Sequence, residues 1–169
     1  MDTGTDSLNH VWGGGGNDVI VLNAGSDADW FDVLEFHNTG LMSEGNDFVF
    51  NFQREAAGGG DKIDLSSYGD VQHISGSYGG TTAIGSLTST DLFGLVHGDF
   101  STGSANAALT GAQLIQYGTS NQYILVYVNN TVGNSPVVAN EVTIVGTVTF
   151  ANETNIVATG TLTDADLFV

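Results

Sequence analysis

The stretch "GGGGNDVIV" at residues 13–21 decides how the first part of this chain is interpreted. Four consecutive glycines are costly to order, because glycine loses more backbone freedom on folding than any other residue. An Asn-Asp pair and a β-branched run follow at once, a pattern typical of a turn that leads into a strand. The stretch therefore predicts either a flexible linker or a turn that something outside the chain holds in place.

The residues around this stretch follow a nine-residue rhythm. The unit "GTDSLNHVW" precedes it directly and puts Asn9 opposite Asp18. The unit "AGSDADWFD" at residues 24–32 continues the frame after a two-residue insertion and puts Asp29 at the same place. Three units in one frame favour ordered turns over a linker.

The charge of the chain points to cations as partners. Its 169 residues include 19 acidic residues but only Arg54 and Lys62 as bases, for a formal net charge of -17 at pH 7. Nucleic acid and anionic membrane surfaces bind through clustered lysine and arginine, so both are excluded as partners. Seven of the aspartates lie at or before position 47, close to glycines, whereas the acidity of a halophilic surface is spread evenly.

Composition also limits the fold and the compartment. A hydrophobic content of 41% is enough for one well-buried domain, alone or with an attachment. The absence of cysteine excludes disulfides and thiolate metal sites. The sequence contains no apolar run long enough for a transmembrane segment and no N-terminal signal peptide.

The middle unit carries a resemblance to a known family. It fits G-G-x-G-x-D-x-U-x, where U is a large apolar residue, with Asp18 and Ile20 in their places. This pattern resembles the calcium-binding nonapeptide of RTX proteins, which form a parallel β-roll. The resemblance implies that turn carbonyls and aspartates bind Ca²⁺, a hard cation that takes six to eight oxygens.

A second segment strengthens this resemblance. In "GNDFVFNFQREAAGGGDKIDLSSYGD" at residues 45–70, Phe48, Phe50 and Phe52 alternate on one face of a predicted strand. A Gly-rich turn and "DKIDLS" follow, as in the segment after the calcium repeats of serralysin-type secreted proteases and bacterial RTX S-layer proteins. In that family this segment caps the roll.

The resemblance implies a set of metal ligands in the predicted roll and its cap. Asp61 is interpreted as a turn residue rather than a ligand, whereas Asp64 or Asp47 is interpreted as a ligand. The candidate calcium ligands are Gly13, Gly15, Asp18, Asn9, Asp27, Asp29, Asp47 and Asp64.

Residues 71–169 differ in composition from the first 70 residues, because they are poor in aspartate and rich in threonine and valine. "STDLFGLVHG" at 89–98 predicts a short helix, and "NAALTGAQLIQYG" at 106–118 a second one. "QYILVYV" at 122–128 is a near-continuous apolar strand that should pair with the alternating "EVTIVGTVTF" at 141–150. The predicted fold is all-β: a short parallel roll with capping strands over 1–70, continuing into a β-sandwich-like C-terminal region with one or two short helices.

The C-terminus and the lack of catalytic motifs complete the prediction. The chain ends in "DLFV", which resembles the uncleaved C-terminal signal of type I secreted proteins, so the type I secretion apparatus is an expected partner. The sequence contains no H-E-x-x-H and no G-x-S-x-G, so no enzyme activity is expected in this chain. Histidines 10, 37, 73 and 97 are interpreted as surface or satisfied core residues.

The expected function is a secreted, calcium-binding module of a larger bacterial protein, which folds after export and anchors or assembles a cell-surface layer. One alternative is the non-catalytic export and folding tail of a secreted hydrolase. Another is a calcium-dependent glycan-binding adhesin module, with Trp12, Trp30 and Tyr68 as its sugar-binding face. Self-assembly and a cell-surface glycan are the further partners that these alternatives imply.

Overall fold

Strands dominate the computed structural model, which describes residues 9–22, 32–37, 45–53, 60–68, 71–96, 109–130 and 137–151. Its described strands are β1 (Asn9–Val11), β2 (Val19–Val21), β3 (Asp32–Glu35), β4 (Asp47–Phe52), β5 (Lys62–Asp64), β6 (Val71–Tyr78), β7 (Leu109–Tyr117), β8 (Gln122–Asn130) and β9 (Val142–Phe150). A short helix, α1 (Ser89–Leu92), continues into a 3₁₀ turn over Phe93–Leu95. The predicted all-β class is therefore confirmed, and so is the short helix near residue 89.

The first five strands alternate between two sheets. Strands β1, β3 and β5 form a parallel three-stranded sheet, while β2 and β4 pair in parallel in the other sheet. Consecutive strands of this set therefore lie in different sheets, and β1, β2 and β3 each pair with the strand two places further along the chain. We call this arrangement of β1 to β5 the coil, which has two strands per turn.

The spacing of the coil is wider than the nine-residue rhythm suggests. Val19 pairs with Phe48, and Val33 pairs with Lys62, so in both pairs the partner lies a little more than three nonapeptide lengths further along the chain. Asn9 pairs with Asp32 at a shorter separation that still exceeds two nonapeptides. The residues that stack on one another are thus one long turn apart.

The second sheet continues from the coil into the rest of the chain. Its strand order is β2-β4-β9-β8-β7-β6, in which β7, β8 and β9 are antiparallel neighbours. Strand β4 pairs in parallel with β9, and β6 pairs in parallel with β7. One sheet therefore takes strands from both sides of the boundary predicted at residue 70.

Both faces of this larger sheet are buried at its centre. One hydrophobic cluster joins it to the three-stranded sheet and includes Leu34, Ile63 and Phe52, all fully buried. A second cluster lies on the opposite face, where Leu92 and Val96 pack with residues of β7, β8 and β9. Burial on both faces explains why "QYILVYV" reads as an almost continuous apolar run.

Two local predictions are wrong. Residues 109–117 of the second predicted helix form the strand β7, because this segment lies between β6 and β8 and pairs with both. The three phenylalanines of β4 do not share one buried face: Phe52 is fully buried, whereas Phe50 is 37% exposed. Asn51, at φ 62°, shifts the register against β9 and reverses the alternation.

Candidate metal site between stacked turns

Two turns with the same sequence lie one above the other at the start of β2 and β4. Each consists of Gly-Asn-Asp, at residues 16–18 and 45–47. The backbone N–H of Asn46 donates to Asn17 Oδ1 at 3.0 Å, and that of Asp18 donates to Asp47 Oδ1 at 2.9 Å. The Phe48 N–H also donates to the Asp18 carbonyl at 2.8 Å. The two turns are therefore bonded to each other directly through side chains and backbone.

Glycine is required where these turns touch. Gly16 and Gly45 have φ of 110° and 83°, in the left-handed region that glycine tolerates best. A Cβ on Gly45 would lie 2.1 Å from the Gly16 carbonyl oxygen. Any larger residue at position 45 would push the two turns apart.

Two aspartate carboxylates converge beside Gly13. The position that a Cβ on Gly13 would take lies 3.1 Å from Asp18 Oδ2 and 3.2 Å from Asp47 Oδ2. Asp47 is almost fully buried, with 1% of its surface exposed. Asp18 Oδ2 and Asn46 Oδ1 are both buried and accept no hydrogen bond from the part of the chain that the structure describes.

The oxygens gathered here are of the type that a hard divalent cation takes as ligands. A buried polar oxygen without a partner costs free energy, and two neighbouring carboxylates also repel each other. A bound Ca²⁺ ion would take the unpartnered oxygen as a ligand, and its positive charge would offset the repulsion between the two carboxylates. No three His, Asp or Glu side chains of the described ranges converge as metal ligands, so Asp18 and Asp47 would need carbonyl, amide or water oxygens to complete the shell.

The other predicted ligands lie in the same glycine turn, on the three-stranded sheet or outside the described residues. Gly15 is exposed within the glycine turn, and the backbone of Asn9 lies in β1, paired with Asp32. Asp64 Oδ1 accepts the backbone N–H of Ser66 at 2.8 Å, which makes it a turn-forming side chain. Asp27 and Asp29 lie outside the described residues, so their role as ligands stays a prediction.

A second aspartate pair stacks on the other side of the coil. The Asp32 N–H donates to Asp61 Oδ1 at 3.0 Å, the same type of contact as the one between Asp18 and Asp47. Asp61 Oδ2 accepts the Gln53 N–H at 2.7 Å. Asp61 is buried, with 5% of its surface exposed, and desolvation by burial raises its pKa to about 6.

Two of the histidines join a cluster on the outer side of the three-stranded sheet. His10 Nδ1 and His37 Nε2 contact the two oxygens of Glu35, the second at 2.9 Å. Hydrogen bonds to His37 and then to His10 lower the pKa of Glu35. Trp12, 49% exposed, lies against the His37 ring with centroids 4.8 Å apart. Of the other residues of the predicted sugar-binding face, Trp30 and the Tyr68 side chain lie outside the described part of the chain.

The sequence held a signal for the stacked turns that the nine-residue frame misses. "GND" followed by three β-branched or aromatic residues occurs at positions 16–21 and again at positions 45–50. The stacked pairs Asp18 with Asp47 and Asp32 with Asp61 share the separation of these two motifs. A comparison at long period therefore finds the partner of Asp18.

No helix among the described residues is long and apolar enough to cross a membrane. Comparisons of the chain with protein-family models, with curated proteins and with solved structures found no match.

Proposed function

We propose that this chain is a calcium-binding module of an RTX-type secreted protein, in which Ca²⁺ holds the stacked turns of the coil together. The observation that carries the proposal is the buried, unpartnered Asp18 Oδ2 next to the Asp47 carboxylate at the Gly13 turn. Two carboxylates that the fold presses together in a chain of net charge -17 need a counter-charge.

The coil supports an RTX-type roll as the finer fold. In a roll, parallel strands alternate between two sheets and Gly-rich turns stack at the edges, and β1 to β5 follow this alternation. Val11 and Ile20, nine positions apart in adjacent units, both pack against the shared core. The long offsets between paired strands then correspond to nonapeptide units lengthened by insertions between the strands.

Each residue of the proposed site has a distinct task. Asp18 and Asp47 provide carboxylate oxygens, and Asp47 also accepts the Asp18 N–H through its other oxygen. Gly13 leaves the space between the carboxylates open, since any side chain there would enter it. When bound, Ca²⁺ supplies positive charge and the missing oxygen contacts.

Calcium binding would couple folding to the compartment. Extracellular modules bind Ca²⁺ with dissociation constants of about 10⁻⁴ to 10⁻³ M, far above the free concentration inside a cell. An ion that binds only the folded state stabilises it by about 1.4 kcal/mol for each tenfold excess over its dissociation constant. The chain would thus stay loosely folded during type I export and fold outside, at a cell surface or in a surface layer.

Isothermal titration calorimetry of the full chain with CaCl₂ tests the proposal. We expect saturable binding that the Asp18→Asn, Asp47→Asn double variant loses. Asp64→Asn, which removes one carboxylate from β5, is the matched control and should bind like the unmodified chain. Binding that is absent in the unmodified chain, or equally strong in the double variant, would refute the proposed site.

A further inference from the structure

Gly146 of β9 lies against the backbone of one of the proposed calcium ligands. Asp47 is the first residue of β4, and Gly146 is its register partner on β9. A Cβ on Gly146 would lie 3.0 Å from the Asp47 carbonyl oxygen and 3.3 Å from Cε1 of the Phe36 ring. Gly146 and Phe36 are both buried, so a side chain fits at this position only if a neighbour moves.

Strand β9 is irregular at the same place. Gly146 pairs with Leu125 of β8, whereas Ile144 pairs with Val126, so β9 has one extra residue between these two pairs. Such a two-against-one arrangement is a β-bulge, here at Val145, and bulges are frequent next to functional sites. The bulge therefore directly precedes the glycine that packs against β4.

Asp47 connects this contact to the proposed calcium site. Its Oδ1 accepts the Asp18 N–H at 2.9 Å, and its Oδ2 lies 3.2 Å from the position that a Cβ on Gly13 would take. Its carbonyl oxygen is the atom that faces Gly146. One buried residue thus has its carboxylate in the proposed site and its main chain against β9.

We propose that Gly146 is a positioning residue for the calcium site, because its lack of a side chain lets β9 hold Asp47 where the two carboxylates meet. This inference rests on the proposed function and deepens it. The carboxylates belong to the coil, whereas the position of one of them is set by the antiparallel part of the larger sheet.

The size of the effect follows from the tolerance of a metal site. A Cβ at 3.0 Å from the Asp47 carbonyl oxygen would force a shift of a few tenths of an ångström. Ligand distances in a well-formed metal site stay within about 0.2 Å of their ideal values. Substitution of residues that orient metal ligands typically lowers affinity about 10- to 100-fold. We therefore expect Gly146→Ala to weaken calcium binding at least about tenfold, although every carboxylate remains.

Isothermal titration calorimetry with CaCl₂ tests this expectation against two controls, under conditions in which circular dichroism shows each chain to be folded. Gly79→Ala makes the same chemical change with nothing within 4 Å of the added Cβ. Val148→Ala removes a fully buried side chain from β9 at the position that pairs with Val49 rather than with Asp47. Both controls should bind like the unmodified chain. Unchanged affinity in Gly146→Ala, or an equal loss in Val148→Ala, would overturn the positioning role.

A measurement on the unmodified chain decides the question if Gly146→Ala does not fold. Because coupling between two parts of a protein is reciprocal, calcium binding should also change the surroundings of Gly146. In ¹H–¹⁵N correlation spectra, CaCl₂ should move the Gly146 amide signal more than that of Gly118, which lies in the turn between β7 and β8. Saturable binding that leaves the Gly146 signal in place would overturn the positioning role alone, whereas an unmodified chain that binds no calcium would refute the site itself.

Discussion

The substitution Gly13→Ala tests whether the space between two carboxylates is a cation site. The added Cβ would lie 3.1 Å from both Asp18 Cβ and Asp18 Oδ2, and 3.2 Å from Asp47 Oδ2. These contacts are tighter than ordinary van der Waals contact, so the carboxylates must move by a few tenths of an ångström. A methyl group in this position fills the space between the carboxylates, where the proposed ion would bind, without removing either carboxylate.

The magnitude follows from mass action. For a dissociation constant between about 10⁻³ and 10⁻⁴ M, about 10 mM Ca²⁺ stabilises the folded chain by about 1.4 to 2.7 kcal/mol. Gly13→Ala should lose this gain, while the strain from the displaced carboxylates lowers the stability equally in chelator and in calcium. Its control, Gly14→Ala, adds a Cβ with nothing within 4 Å but at φ 89°. The control should cost about 1–2 kcal/mol of backbone strain equally with and without calcium.

Urea unfolding followed by far-UV circular dichroism measures both variants in chelator and in calcium. The decisive quantity is the calcium-induced gain in the free energy of unfolding, because it cancels the strain that each substitution adds. We expect the full gain in the unmodified chain and in Gly14→Ala, and none in Gly13→Ala. A Gly13→Ala chain that folds normally and keeps the gain would show that no ion occupies this space.

Three further substitutions test the packing and the electrostatics of the coil. Phe52→Ala removes a fully buried ring that lies edge-on to Phe150, and it should lower the free energy of unfolding by about 3–5 kcal/mol; a loss below about 1 kcal/mol would contradict this packing. In Gly45→Ala, fewer amides of the coil should be protected from hydrogen exchange, because the added Cβ would clash with the Gly16 carbonyl. Unchanged protection would show that the two turns do not touch. Because the pKa of Glu35 is lowered in the folded chain, its ionised form adds stability above about pH 4.5 that is lost in acid. Glu35→Gln should therefore lose less stability than the unmodified chain when the pH falls below about 4.5. An equal loss in both chains would show that the contacts of Glu35 with the histidines do not contribute to it.

Strands that are long and apolar were predictable from local pattern. β8 and β9 contain runs of β-branched and aromatic residues, and their antiparallel pairing follows from the order in which they occur. β7 was not predictable in this way, since its alanine, glutamine and leucine residues also suit a helix. Its position between two strands decides its conformation, and only the tertiary fold supplies that information.

The candidate site was predictable in part. The nine-residue pattern identified Asp18 with its glycine turn and placed Ile20 toward the core. Asp47 was among the candidates, but its contact with Asp18 depends on how many residues lie between β2 and β4. Loop length has little energetic signature of its own, because the entropy of closure grows only slowly with length. The partner of a stacked turn therefore has to be found by comparing the sequences of distant turns, such as the two Gly-Asn-Asp motifs, rather than by continuing the nine-residue repeat.

The two halves of the described chain should differ in how much they depend on counter-charge. β7, β8 and β9 are nine-residue strands packed by hydrophobic clusters on both faces, so their stability comes from apolar burial. The strands β1, β2 and β5 have only three residues each, and the turns between the coil strands bring aspartates together in pairs. Local stability varies with apolar contact, so we expect the coil to be the part of the fold that opens first when the proposed cation is absent. Because β4 pairs directly with β9, opening of the coil also exposes one edge of the antiparallel strands, which links the charge state of the turns to the rest of the sheet.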